Sequence, residues 1–499
     1  MHVRIDRVEV RSLVSPLCVA VNNTIEQTTM KWSHFWTPIF VTYHSKMSTP
    51  PMKRKRNAIS THAMPEEKDF RYLEFYSGVG GWRMALNEAL LETNNGGEGT
   101  CPHIDKTTCV AALDHSDLCL QVYHHNFPPA AARVGDDDDD NNNNNNKKKK
   151  TTIRACRIEQ IKAEQLAEEW LADAWFMSPP CQPHTRQHDK QEADLTDPRS
   201  SSFLHICKLL EQELPVHALP SFICLENVVG FAESNSCRTW RKALSHRNYA
   251  VAHFHWNPTQ VNLPNDRPRY FCLAVLQNRI QKLPNHPSWQ GLVSVEKDTT
   301  QRPVIQTSLP VLGVTEESDA SVTDLPPIRD FLDTDDLSQQ QHHVVVPDKL
   351  LQRNASWCFD IVTPHSQRSS CFTSGYGRFV KGTGSVLYTG GDEDPQTVHA
   401  FAQLLRPEDR TFQADWAENL ASGSLRYLSG PEIARLMGFA SSFSFPGTCT
   451  TKQQWKLMGN SLNVRLAARL VMLGLCLCGK VTPDNDLTKT TGSGSDEKT

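Results

Sequence analysis

Cys181 stands in "SPPCQPHTRQ", Ser178 to Gln187, between two prolines and directly after the apolar run Trp175, Phe176, Met177. Most cysteines in a chain with fifteen of them are small buried hydrophobes. This one has its backbone stiffened on both sides and no apolar neighbour following it, which suits a nucleophile displayed at a strand end. Glu226 closes another apolar run, "FICLEN". A carboxyl group there can pair with an arginine or can hold and deliver a proton. Arg267 and Arg269, two apart before "YFCLAVL", face the same way in an extended chain and can grip a planar polar ligand. In "SGVGG", Gly78, Gly80 and Gly81 allow a ligand to approach the backbone at a helix start, and Asp114 closes the next apolar run, where an acidic residue can bind ribose hydroxyls. The glycine spacing is not GxGxxG. An adenosine-bearing cofactor without a pyrophosphate, S-adenosylmethionine, is therefore expected in place of a dinucleotide.

Those residues all fall at the ends of short apolar runs. Strands are expected at Tyr72–Tyr76, Cys109–Asp114, from Ala174, at Phe222–Asn227 and at Arg269–Leu276. Helical periodicity covers Trp82–Leu91, Ile158–Leu171 and Ser201–Leu210, and places Val464, Ala467, Ala468, Val471 and Leu475 on one core-facing stripe. Strands alternating with helices predict an α/β fold with a doubly wound, mostly parallel sheet. Ligands of such sheets lie at the carboxyl ends of the strands, where the candidate residues gather.

The composition, 38% hydrophobic and 22% charged over 499 residues, is that of a globular chain of more than one domain. A net charge of −4 gives no general attraction to nucleic acid, so any such binding needs a local basic patch. The scattered cysteines lack paired CxxC spacing; neither a zinc module nor a secreted disulfide framework is expected, and no metal site is assigned. No membrane segment or signal sequence is expected. Residues 1–65 read as an unstructured extension carrying the basic tetrad Lys53–Arg56, compatible with a nuclear address or with a solvated tail, and residues before Met47 read as dispensable. "DDDDDNNNNNNKKKK", Asp136–Lys150, reads as a low-complexity insertion within a first catalytic part, 66–276. A polar linker, 277–343, and a frayed tail, 479–499, complete the weak stretches.

The ordered motifs "EFYSGVGGWRMAL", "SPPCQPHTRQ", "LENVVGF", "RPRYF" and "LMGNSLNV" resemble the C5-cytosine methyltransferases, in that family's order and over most of the ordered chain. "SFLHIC", "PHSQRSSCFTSGYGRFVKGTGSVL" (Pro364–Leu387) and "LRYLSGPEIARLMGF" (Leu425–Phe439) resemble the small eukaryotic branch, DNA-methyltransferase homologues that modify the anticodon-loop cytosine at position 38 of tRNA-Asp. The stretch around Cys371 distinguishes that branch. The resemblance implies a Rossmann-like methyltransferase domain, 66–276 and 425–478, interrupted by a target-recognition domain at 344–424. It implies Cys181 as nucleophile at carbon 6 of the base, Glu226 on ring nitrogen 3 and the exocyclic amine, and Arg269, helped by Arg267, on the base oxygen. Val79, Gly80 and Gly81 would line the methionine part of S-adenosylmethionine, Asp114 the ribose, Ile158 and Glu159 the adenine, with Ser178 and Ser461 completing the pocket. Cys371, Arg368 and Lys381 would face the tRNA. His184 departs from the phenylalanine the resemblance leads us to expect, placing a titratable group beside the nucleophile's loop. A DNA C5-methyltransferase would use the same motifs and remains the alternative; a silent binding module would have lost the cysteine or the glutamate. A monomer in cytoplasm or nucleus is expected.

Overall fold

The computed structural model describes residues 69–94, 104, 106–128, 152–180, 197–281, 289–310, 325–333, 344–351, 358–389 and 424–481. Cys181, His184, the extension 1–65 and the run Asp136–Lys150 lie outside the described residues, as does the tail beyond residue 481.

The strands are β1 (Asp69–Phe75), β2 (Lys106–Asp114), β3 (Thr152–Ala155), β4 (Ala174–Met177), β5 (Phe222–Val228), β6 (Tyr249–Trp256), β7 (Arg269–Leu276), β8 (Ser294–Val295), β9 (Ile305–Gln306), β10 (Asp360–Val362), β11 (Ser385–Tyr388) and β12 (Leu425–Tyr427). The helices are α1 (Gly81–Asn94), α2 (Asp117–Asn126), α3 (Ser201–Lys208), α4 (Asn235–His246), α5 (Asp348–Leu351), α6 (Gly430–Leu436), α7 (Thr451–Asn460) and α8 (Val464–Leu477). The main sheet runs β3-β2-β1-β4-β5-β7-β6-β8, with β9 also on β6. Strands β1 to β5 pair in parallel. β7 is antiparallel to both neighbours, and the short β8 is antiparallel to β6. The twelve residues between β6 and β7, 257–268, hold no α-helix, only a 3-10 turn, Pro258–Val261, followed by Asn262 in the left-handed region. Without a crossover helix two consecutive strands can join only as an antiparallel pair, so the Arg269–Leu276 strand enters the sheet reversed.

Helices cover both faces. One apolar cluster joins β1, β5 and β7 to α1, α2 and α8, and the other joins the opposite strand faces to α3 and α4. Local chemistry fixes several helix starts: Ser116 accepts from Cys119 N–H at 3.3 Å, Ser234 from Cys237 N–H at 3.0 Å and Asn463 from Leu466 N–H at 3.0 Å. The five positions predicted as a core stripe of α8 are buried, and so is nearly every other residue of that helix. Gly474 is where α8 lies on β5, since a Cβ there would stand 2.5 Å from the Phe222 ring. By length and composition Thr451–Leu477 could cross a membrane, but 78% of its apolar window is buried inside the fold.

The expected helix Ile158–Leu171 is broken. A 3-10 turn, Ile158–Gln160, ends at extended Ile161, and a separate π turn spans Gln165–Glu169. The Gln165 side chain accepts from Lys162 N–H at 3.1 Å, restarting the chain after the break. The interval expected as a linker carries β8 and β9, and its Glu296 binds buried Arg241 through Nε at 2.7 Å and Nη2 at 2.9 Å. A second, three-stranded sheet, β10-β11-β12, takes its first two strands from the interval expected to be the recognition domain and its last strand from the returning segment at 425.

Candidate active site

The sheet order reverses between β1 and β4, and the cleft opens at the carboxyl ends of those two strands, as the topology of open α/β sheets favours. It has a volume of about 400 Å³, with Tyr76 to Val79, Gly81, Trp82 and Ser178 on the sheet side and Leu457, Asn460, Ser461 and Leu462 opposite. Trp82 Nε1 donates to Ser178 Oγ at 3.0 Å, tying α1 to the end of β4. Gly80 has φ +91°, and a Cβ there would meet the Phe127 ring at 2.4 Å, so the turn needs glycine on both counts. Ser77 Oγ is buried on the cleft wall without a hydrogen-bond partner. An orphaned hydroxyl in such a place fits a polar ligand group.

Of the predicted cofactor residues, Val79, Gly81, Ser178 and Ser461 line this cleft. Gly80 supports it from behind. Asp114, Ile158 and Glu159 lie outside its walls, at the ends of β2 and β3, so that β1, β2 and β3 present a row of positions along one sheet edge. The Asp114 carboxylate accepts from Gly78 N–H and from Ser116 N–H, both at 2.9 Å, and so sets the glycine turn and the start of α2. Ile158 is buried; Glu159 is exposed and accepts from Ser201 Oγ at 3.1 Å.

Beside the cleft, Glu226 is 8% exposed at the end of β5, and Arg269 Nε lies 3.5 Å from its Oε1. Asn227 donates through Nδ2 to the Pro179 carbonyl at 3.2 Å, fixing the chain two residues before Cys181. Arg267 is 2% exposed. Its guanidinium donates to the carbonyls of Phe372 (2.5 Å), Gly459 (3.0 Å) and Ser461 (2.6 Å), and to Cys371 Sγ (3.4 Å). Arg269 Nη2 reaches the same sulfur at 3.7 Å. Burial pushes the Cys371 thiol up, but the two arginines outweigh it and hold its pKa below the ordinary thiol value. The two arginines predicted to face one way thus converge on one atom, 102 and 104 residues away in sequence.

The segment expected to recognise the target is laced to the loop that leads into β7. Asp266 N–H donates to Ser369 O, and Ser369 N–H to Pro264 O, both at 2.8 Å. Arg368, predicted to face RNA, is exposed and bridges to Asp266. Lys381 is exposed at the far end of the same segment. Sequence reasoning missed Ser77, Tyr76, Trp82, Leu457 and Asn460 as cleft walls; the first three lie inside the quoted glycine motif and the other two inside "LMGNSLNV", but which side chains of the latter reach the cleft depends on how α7 docks.

The family model described as C-5 cytosine-specific DNA methylase matches residues 70–472. The chain is 32% identical over 439 residues to the tRNA (cytosine(38)-C(5))-methyltransferase of Bos taurus, covering 81% of this chain and 99% of that one. It is 33% identical to the Homo sapiens protein of the same name, covering 81% and 98%. A solved DNMT2 mutant from Spodoptera frugiperda superimposes with a TM-score of 0.57 at 28% identity, over 81% of this chain and 99% of that one.

Proposed function

The chain belongs to the C-5 cytosine-specific DNA methylase family, and from that premise we propose that it methylates carbon 5 of cytosine 38 in the anticodon loop of tRNA-Asp, with S-adenosylmethionine as donor. The carrying observation is the convergence of Glu226, Arg269, Arg267 and Cys371 beside the switch-point cleft. The names of relatives aligned over most of their length support tRNA as the substrate.

Ser77, Val79, Gly81, Ser178 and Ser461 would hold the cofactor, with Asp114, Ile158 and Glu159 continuing the row along the sheet edge. Bound there, S-adenosylmethionine supplies an electrophilic methyl group. Carbon 5 of cytosine is too weak a nucleophile to take it unaided. The Cys181 thiolate adds to carbon 6, and the electron pair moves to carbon 5 as an enamine. Glu226 protonates or hydrogen-bonds ring nitrogen 3 and orients the exocyclic amine, while Arg269, itself oriented by Glu226 and Cys371, stabilises the base oxygen as charge develops. Once carbon 5 carries the methyl group it loses its proton, the double bond reforms, and Cys181 leaves as thiolate. The target must be out of its stack, and an unpaired loop base needs less work to reach that state than a base in a duplex.

The test offers labelled methyl donor with equimolar tRNA-Asp and cytosine-rich duplex DNA. Label in the tRNA at position 38 is expected. RNA carrying 5-fluorocytosine there should trap a covalent complex with the parent and none with Cys181→Ala. Label mainly in DNA would move the substrate to DNA and leave the chemistry; a trapped complex on another cysteine would overturn the nucleophile.

A further inference from the structure

We propose that Phe379 is a stacking platform for an unpaired base of the RNA loop adjoining the target cytosine; the inference rests on the tRNA reading above. Phe379 is 58% exposed and, among the described residues, is the aromatic member of the exposed large apolar side chains. Phenylalanine has no polar atom to gain from water, so its exposed ring keeps an apolar face that a stacking ligand can cover.

The exposure does not come from a loose loop tip. Phe379 N–H donates to Gly375 O at 3.0 Å, and its carbonyl accepts from Thr383 Oγ1 at 2.7 Å. Thr373 N–H closes the loop onto Thr383 O at 2.9 Å. Three glycines, Gly377, Gly382 and Gly384, take positive φ. A Cβ on Gly377 would stand 2.2 Å from Trp455 of α7, and one on Gly459 would stand 2.1 Å from the Thr373 backbone. The loop is therefore seated on the helix whose end forms the cofactor cleft, and it begins at Cys371 and Phe372, which receive the Arg267 hydrogen bonds. The backbone that carries the ring is thus fixed before binding, which leaves mainly side-chain rotation to be lost.

Its surroundings select the ligand. The Arg378 guanidinium lies 5.1 Å from the ring centroid, and Arg378 and Lys381 are both exposed. Aromatic surface flanked by cations suits a nucleobase with its phosphates, and single-stranded RNA loops are bound by such stacking. An apolar protein partner would not need the two cations.

The experiment uses the full chain with an anticodon stem-loop RNA in which 2-aminopurine replaces, one at a time, the loop bases beside the target. With the parent, fluorescence at one position should be quenched. Phe379→Ala should abolish the quenching and weaken Kd roughly 5- to 150-fold, the range for losing one base–aromatic stack. Phe379→Trp should restore both, and Phe379→Leu, which keeps apolar bulk without a π face, should not. Parent-like binding and quenching by the alanine variant, or rescue by leucine, would overturn the platform. If the parent methylates tRNA and the alanine variant matches it, this proposal alone fails; if the parent neither binds nor methylates the RNA, the tRNA reading fails and the platform with it.

Discussion

Glu74 sits next to the carboxyl end of β1, fully buried, with Oε1 accepting from Tyr123 O–H at 2.6 Å and from Cys109 Sγ at 3.8 Å, and Oε2 without a hydrogen-bond partner. Burial raises its pKa to about 7, against the opposing pull of the Tyr123 hydroxyl, the Arg83 charge and the Cys109 thiol. A carboxyl group whose folded pKa lies above its unfolded value binds more protons in the folded state. Its contribution is therefore complete below about pH 4.5 and is lost as pH rises to about 7, a span worth about 3 kcal/mol. Urea unfolding of Glu74→Gln between pH 5 and 8 should show a flatter pH dependence than the parent; equal slopes would mean that Glu74 carries no proton in this range. Tyr123 also packs behind Gly80, so the same variant reports on support for the glycine turn. At this scale the sequence is legible where chemistry and punctuation coincide: Glu226 closes the apolar run of its strand beside an asparagine, and Arg267 and Arg269 bracket a proline. Glu74 is illegible because its environment comes from α1, α2 and β2. Cys371 is legible as part of a motif, while its two arginine contacts depend on tertiary docking.

Among elements, those with strong apolar runs were readable, since a strand buried on both faces is a continuous run in sequence. The reversal of β7 follows from "YAVAHFHW" being itself a strand with no α-helix between it and the next. The motif "LRYLSGPEIARLMGF" holds another element-scale device. Ser429 and Glu432 form a capping box on α6, and Glu432, fully buried, also receives Arg426 in a bidentate pair at 2.7 and 2.8 Å. Asp333 N–H donates to Glu432 at 3.1 Å, while the Asp333 carboxylate receives Ser429 Oγ at 2.9 Å and Arg435 at 2.6 Å. One carboxylate thus joins β12, α6 and the segment entering from 325–333. Glu432→Ala should cost about 3–5 kcal/mol by leaving Arg426 buried without its charge partner, measured as a fall in unfolding free energy. An accompanying loss of hydrogen-exchange protection in the small sheet is expected, and protection unchanged there would detach that sheet from the network.

The scale of the whole molecule concerns what can be removed from it. The described chain stops at residue 128 after α2 and resumes at β3, which among the described residues is the outer strand of the sheet and pairs only with β2. Between them lies Asp136–Lys150, three single-residue blocks with no apolar side chain to bury. Edge placement means that a change in this connection disturbs no strand beyond β3, and the cleft at β1 and β4 is built from other segments. The deletion shortens the 23-residue connection 129–151 to 8 residues, which lowers its closure entropy cost by only about 1 kcal/mol. Deleting Asp136–Lys150 should therefore leave thermal stability at or slightly above that of the parent, and methyl transfer to tRNA within roughly a few-fold, the scale that such a small free-energy change permits. Stability and kcat/KM measured on the same deletion separate the outcomes. Unchanged stability with a large, salt-dependent rise in KM would assign the four lysines, Lys147–Lys150, to RNA phosphate contact, whereas a fall in stability would show that the connection holds β3 in place.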